Sequence, residues 1–139
     1  MKVIILFFMI LYSFQTAQGT LKKDVHFVVL VTNLNLLAIS PSYLGAIRLG
    51  FGGFEIGMLN THMYGFIYNL YKENTFGGLG LVRGSIVYRG TNPEPGIFAN
   101  MGHNFNLSST FDLRLELNSS CFKNFDFYSR LLIGIDYDF

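Results

Sequence analysis

Residues 129–139 read SRLLIGIDYDF, and apolar side chains fall at every second position: Leu131, Ile133, Ile135, Tyr137 and Phe139. Arg130, Gly134, Asp136 and Asp138 lie on the other side of the same stretch. A β-strand turns successive side chains to opposite faces, so this pattern predicts a strand with one apolar and one polar face. A helix does not fit, because residues i and i+2 sit on opposite sides of it. Residues 111–121, FDLRLELNSSC, repeat the pattern more cleanly. There Phe111, Leu113, Leu115 and Leu117 alternate with Asp112, Arg114, Glu116 and Asn118.

The same period runs back through the chain. GIFANMGHNF (96–105) aligns Ile97, Ala99, Met101 and Phe105, and MYGFIYNLY (63–71) aligns Tyr64, Phe66, Tyr68 and Leu70. GFEIGML (53–59) groups Phe54, Ile56 and Met58. YLGAIRLGF (43–51) groups Tyr43, Ile47, Leu49 and Phe51, and VHFVVLV (25–31) groups Val25, Phe27, Val29 and Val31. FGGLGLVRGSIVY (76–88) is a further strand whose four glycines leave its facing unread. Eight strands are predicted in all, with residues 53–71 readable either as two strands or as one bent ribbon.

The connections alternate in length. Gly52-Gly53, Lys72-Glu73-Asn74 and residues 106–109 (NLSS) are short and rich in turn residues suited to hairpins. The links at 33–42, 60–62, 89–96 and 122–126 fall between them, and three of these four are longer. Short turns at one end and longer loops at the other is the layout of a barrel that spans an outer membrane, with the turns periplasmic. An even strand number then puts both termini on the periplasmic side.

Composition bounds the class. Half of the 139 residues are hydrophobic and 14% are charged. Yet after residue 20 no apolar run approaches the roughly 20 residues that a spanning helix needs. Residues 3–12, VIILFFMILY, follow Lys2 and precede Ala17-Gln18-Gly19, a small-x-small pattern. That reads as a secretory leader over 1–19, too short to be a spanning helix, with the barrel domain over 20–139. Loss of Lys2 takes ten basic residues to nine, against nine acidic ones, and a neutral chain has no electrostatic footprint for nucleic acid. One cysteine, Cys121, cannot form an internal disulfide, and its plain reading is a small apolar side chain.

The last strand, with its alternating apolar residues ending on Tyr137 and Phe139, resembles that of the small bacterial outer-membrane β-barrels of the OmpA/OmpX-like class. The likeness extends to the layout of the whole chain after the leader, but as a motif it lies in the last strand only. It implies an all-β, antiparallel, up-and-down transmembrane β-barrel of eight strands in a Gram-negative bacterium. It further implies that Ile133, Ile135, Tyr137 and Phe139 form the signal read by the barrel-assembly machinery. The expected surroundings are outer-membrane lipid and lipopolysaccharide, the expected state is a monomer, and no cofactor is expected. About 120 residues is short for eight strands of roughly ten residues each, so the outer loops should be modest.

In such a barrel the apolar faces meet lipid and the polar faces meet the lumen. Phe51, Phe105, Phe111, Tyr137 and Phe139 then gather at the periplasmic rim, as an aromatic girdle requires. The inward set is Arg48, Glu55, Asp112, Arg114, Glu116, Arg130 and Asp136, with Arg83 a further candidate. Mixed signs can pair, and an eight-stranded interior is just wide enough for side chains to fill. The expectation is a porin-like exterior around a plugged polar lumen of ion pairs and bound water, with a structural or surface-interaction role.

Two other readings use the same residues. A soluble secreted barrel binding a small apolar ligand, as lipocalins do, needs the opposite facing of every strand. A lipid A-modifying enzyme of the deacylase kind would need a His-x-Ser-Asn motif, and GHNFNLSST (102–110) has Phe105 where the serine would stand. Ser108 is five residues from His103 in a predicted turn, and Glu116 suits the lumen better than a triad. His26, His62 and His103 show no metal-ligand spacing, and the glycines at 77–84 lack the lysine and helix of a phosphate loop. No catalytic, cofactor or metal residues are therefore expected.

Overall fold

The computed structural model describes residues 25–31, 44–84, 92–123 and 127–139. The expected leader, the connection 33–42, residues 89–91 and residues 124–126 lie outside the described residues. Eight strands run in chain order: β1 (Val25–Val31), β2 (Leu44–Phe51), β3 (Phe54–Asn60), β4 (Met63–Lys72), β5 (Thr75–Gly84), β6 (Glu94–Asn106), β7 (Phe111–Phe122) and β8 (Phe127–Asp138). Each pairs antiparallel with the next, and β8 pairs with β1 to close one barrel. Closure gives every strand a paired neighbour on both sides.

The turns explain where the strands stop. Gly52-Gly53 joins β2 to β3, with Gly52 at φ 61, a left-handed conformation that costs glycine little. Thr61-His62 separates β3 from β4, so residues 53–71 form two strands and not a bent ribbon. Asn60 assists by accepting the Thr61 N–H on its side-chain oxygen at 2.8 Å. Between β6 and β7, Ser108 Oγ accepts the N–H groups of Thr110 and Phe111 at 3.2 and 3.0 Å. Part of the expected 89–96 loop is strand instead: Glu94, Pro95 and Gly96 pair with Gly84, Arg83 and Val82.

The closing seam depends on a missing side chain. A Cβ built on Gly134 would run into the carbonyl oxygen of Val29 on β1. The two strands approach this closely because residue 134 carries no Cβ.

Facing follows the period of two. Leu49, Ile56, Leu81, Ile97 and Leu131 point outward and are each more than half exposed. Their neighbours Arg48, Glu55, Val82, Phe98 and Leu132 point inward and are buried. The glycine-rich strand β5 obeys the same rule, with Leu79, Leu81 and Arg83 exposed and Phe76, Gly78 and Val82 buried. Arg83 is therefore an exterior residue and does not join the lumen.

At the end that holds Val25, Phe139 and the turns after β2, β4 and β6, outward aromatics meet. Phe111 and Tyr137 have ring centroids 4.8 Å apart, Tyr137 and Phe139 4.9 Å, and Phe54 and Phe66 5.7 Å. The Phe139 N–H bonds the Val25 carbonyl at 3.0 Å, so the two ends of the described chain lie side by side at this rim.

Candidate functional site

Inside the barrel the inward residues of distant strands form one charged layer. Arg48 on β2 sends Nη1 to Glu116 Oε2 at 2.9 Å and Nη2 to Glu116 Oε1 at 2.7 Å, a bidentate pair. The same Nη1 reaches Glu55 Oε2 at 3.2 Å, and Nη2 also donates to the Leu59 carbonyl at 2.7 Å. Arg114 on β7 donates to Glu55 Oε1 at 2.8 Å and to Glu116 Oε2 at 2.8 Å. The four side chains thus make a ring of alternating sign, all wholly buried.

Other strands supply further hydrogen bonds. Tyr71 OH donates to Glu55 Oε1 at 3.3 Å, and His26 Nε2 lies 3.3 Å from the same oxygen. Asp136 Oδ2 takes Asn104 Nδ2 at 3.2 Å and Arg114 Nη1 at 3.4 Å. The guanidinium of Arg114 lies over the Phe76 ring at 4.1 Å, with Tyr71 packed against that ring at 5.5 Å. This multiplicity matters, since a buried charge is tolerated only where partners replace its lost water.

Five of the seven expected lumen charges therefore converge: Arg48, Glu55, Arg114, Glu116 and Asp136. Asp112 is half-buried and in register with Asp136, nearer the short-turn rim. Arg130 stands apart, with Nη1 on Thr61 Oγ1 at 2.9 Å and its guanidinium 4.8 Å from the Tyr128 ring centre. His26, Tyr71 and Asn104 belong to the layer although the charge pattern did not single them out. Strand parity would have found them, because each alternates with outward apolar residues.

The rest of the inward surface is not polar throughout. Leu59, Met63, Ile67, Val82, Phe98 and Phe122 form a buried apolar cluster, with Tyr128 packed against it. Val28, Leu30, Ala46 and Leu132 form a second. Phe98 links the apolar and charged layers, its ring 5.7 Å from the Arg48 guanidinium carbon. Asn69 and Asn100 flank Gly78 across β4, β5 and β6, and among the described residues no protein group bonds their buried amides.

The residues weighed for acyl-transfer chemistry are dispersed. His103 faces outward, with its ring against Phe105 at 4.6 Å. Ser108 Oγ is engaged in its own turn, and Glu116 is inside with the arginines. The barrel wall separates Glu116 from His103. Among the described residues no group of three or more His, Cys, Asp or Glu is placed to hold a metal ion. No described helix is long and apolar enough to cross a membrane, which says nothing of a barrel.

Compared with protein-family models, curated proteins and solved structures, the chain matches none.

Proposed function

We propose that the protein is a small integral outer-membrane β-barrel with a plugged lumen, serving a structural or surface-interaction role. One observation carries this reading: a cluster of four charged side chains is sealed inside, while large apolar side chains cover most of the exterior. Leu49, Ile56, Leu81, Ile97 and Leu131 lie more than half exposed on a wall that encloses wholly buried Arg48, Glu55, Arg114 and Glu116. Contiguous apolar surface of this extent has no place in water, whereas lipid accepts it and barrel closure satisfies the backbone. The aromatic rim around Phe54, Phe111, Tyr137 and Phe139 supports the same setting.

In this reading the short-turn rim is periplasmic, and the leader at 1–19 directs export. The outward residues Ile133, Ile135, Tyr137 and Phe139 of the last strand are what the assembly machinery engages. The opposite end of the barrel, where β1, β3, β5 and β7 finish, faces outward beside lipopolysaccharide. The lumen conducts nothing, because ion pairs and apolar side chains fill it. The protein acts as a monomer, without enzymatic activity. The lipocalin-like alternative requires apolar residues inward and charges outward, and the observed facing speaks against it.

Fractionation followed by a gel of heated and unheated sample in detergent tests the reading. Recovery with the outer membrane and a heat-dependent mobility shift are expected. Recovery as a soluble, detergent-independent species would overturn it.

A further inference from the structure

The outer wall is not uniformly convex. Over β5 to β8 a shallow groove of about 300 Å³ opens toward the outside, lined by Met101, Leu115, Leu117 and Leu131 with Thr75 and His103. That volume lies at the lower end of the roughly 300–1,000 Å³ typical of small-molecule pockets. The polar side chains are at one end only. Thr75 and His103 are directly paired across β5 and β6, and Lys72 is paired with Thr75 across β4 and β5. Lys72 is exposed, beside the turn that carries Glu73. By strand parity Lys72, Thr75 and His103 all belong to the outward face. A short polar row with a cation at one edge thus heads an apolar trough.

We propose that this groove seats one acyl chain of an anionic phospholipid, with Lys72 and His103 receiving its phosphate at the short-turn end. The inference rests on the reading of the chain as a membrane barrel. Each part of the lipid has a counterpart. The acyl chain lies along Met101, Leu117 and Leu131, where it adds apolar contact that a flat wall would not supply. The Lys72 ammonium attracts the headgroup charge, and a His103 ring N–H can donate to a phosphate oxygen, while the Thr75 hydroxyl donates to the Lys72 carbonyl at 3.1 Å and holds the turn beside them. A second copy fits less well, because an isologous contact centred here would set one concavity against another. Glu73 opposes the headgroup by its charge, so the site is tuned by a neighbour as well as by its cation.

The test places the protein in phosphatidylcholine nanodiscs containing a trace of chain-spin-labelled phosphatidylglycerol or, separately, chain-spin-labelled phosphatidylcholine. A motion-restricted population is expected to favour phosphatidylglycerol by about fivefold, the factor that one cation at a membrane surface contributes. Lys72→Gln combined with His103→Gln should bring the two lipids to parity, and Glu73→Gln should raise the preference. Lys123→Gln, an exposed cation after β7, should leave it unchanged. Leu117→Trp, which fills the groove, should reduce the restricted population itself. Heat-dependent gel mobility, measured on every variant, reports the folded barrel independently. A folded, inserted protein that restricts both lipids equally overturns the lipid site alone. A self-associated protein with no restricted lipid also overturns it, in favour of a second copy. Failure to insert at all overturns the membrane reading and the site together.

Discussion

Arg114 on β7 and Glu55 on β3 meet across the full width of the barrel, with Nη1 and Oε1 2.8 Å apart. In a closed ring of eight strands, β3 and β7 are four apart and so stand opposite each other. A pair that would be remote in an open sheet becomes a strut between facing walls.

Removing one end of that strut should be far worse than removing both. Glu55→Ala takes from the buried guanidinium groups of Arg114 and Arg48, and from the Tyr71 hydroxyl, the acceptor they share, and should destabilise the barrel by about 3–5 kcal/mol. Glu55→Leu combined with Arg114→Met replaces the pair by apolar volume and should lie much closer to wild type. Urea titration of the protein folded into vesicles measures both. Equal losses for the single and double variants would refute a coupled strut.

The exterior makes an opposite demand. Leu81→Arg places a charge on the outer side of the wall, where, in the proposed membrane setting, a position near the midplane costs about 2–4 kcal/mol and one near an interface much less. Phe51→Arg, at the rim, should therefore be milder. If both variants fold in water as readily as wild type, the exterior is not a lipid face.

Gly134→Ala tests the seam between β8 and β1. The added methyl has the Val29 carbonyl in its place, so a backbone must shift, with a penalty on the order of 1–3 kcal/mol. Leu79→Ala, on the outer face, removes volume without such a conflict and serves as control. The heat-resistant folded fraction on an unheated gel should fall for Gly134→Ala alone.

Planar-bilayer recordings should show no steady open steps for the wild type. Phe98→Ala removes the ring that joins the apolar and charged layers and should introduce brief openings at most, because the Arg48–Glu116 and Arg114–Glu55 pairs persist. Sustained steps from the unaltered protein would overturn the plugged lumen.

Phe139→Ala should act on assembly more than on the finished barrel. Phe139 is 73% exposed, so little packing is lost apart from the edge contact with Tyr137 at 4.9 Å. A lower yield in the outer membrane is expected, with an unchanged urea midpoint for protein refolded in detergent. A shifted midpoint would make Phe139 a structural residue instead.

Local pattern alone determined the strands. Alternation identified the two faces of β1–β4 and β6–β8, because a pleated backbone sends every second side chain the same way whatever lies beyond it. It was silent on β5, where Gly77, Gly78, Gly80 and Gly84 contribute no side chain to read, and Arg83, offered as a further lumen candidate, faces outward. It also overlooked the apolar half of the lumen. Leu59, Met63, Ile67, Val82 and Phe98 are inward by parity, yet nothing local says that apolar residues on both faces of a strand have two different destinations. Only the tertiary structure decided which face is inside, since a period of two is unchanged when every strand is turned over. Closure decided the rest: it set β3 opposite β7 and brought Glu55, Arg114, Arg48 and Glu116 into one ring while leaving Arg130 with Thr61. Such meetings depend on register and curvature accumulated over the whole sheet, and no short stretch of chain carries that information.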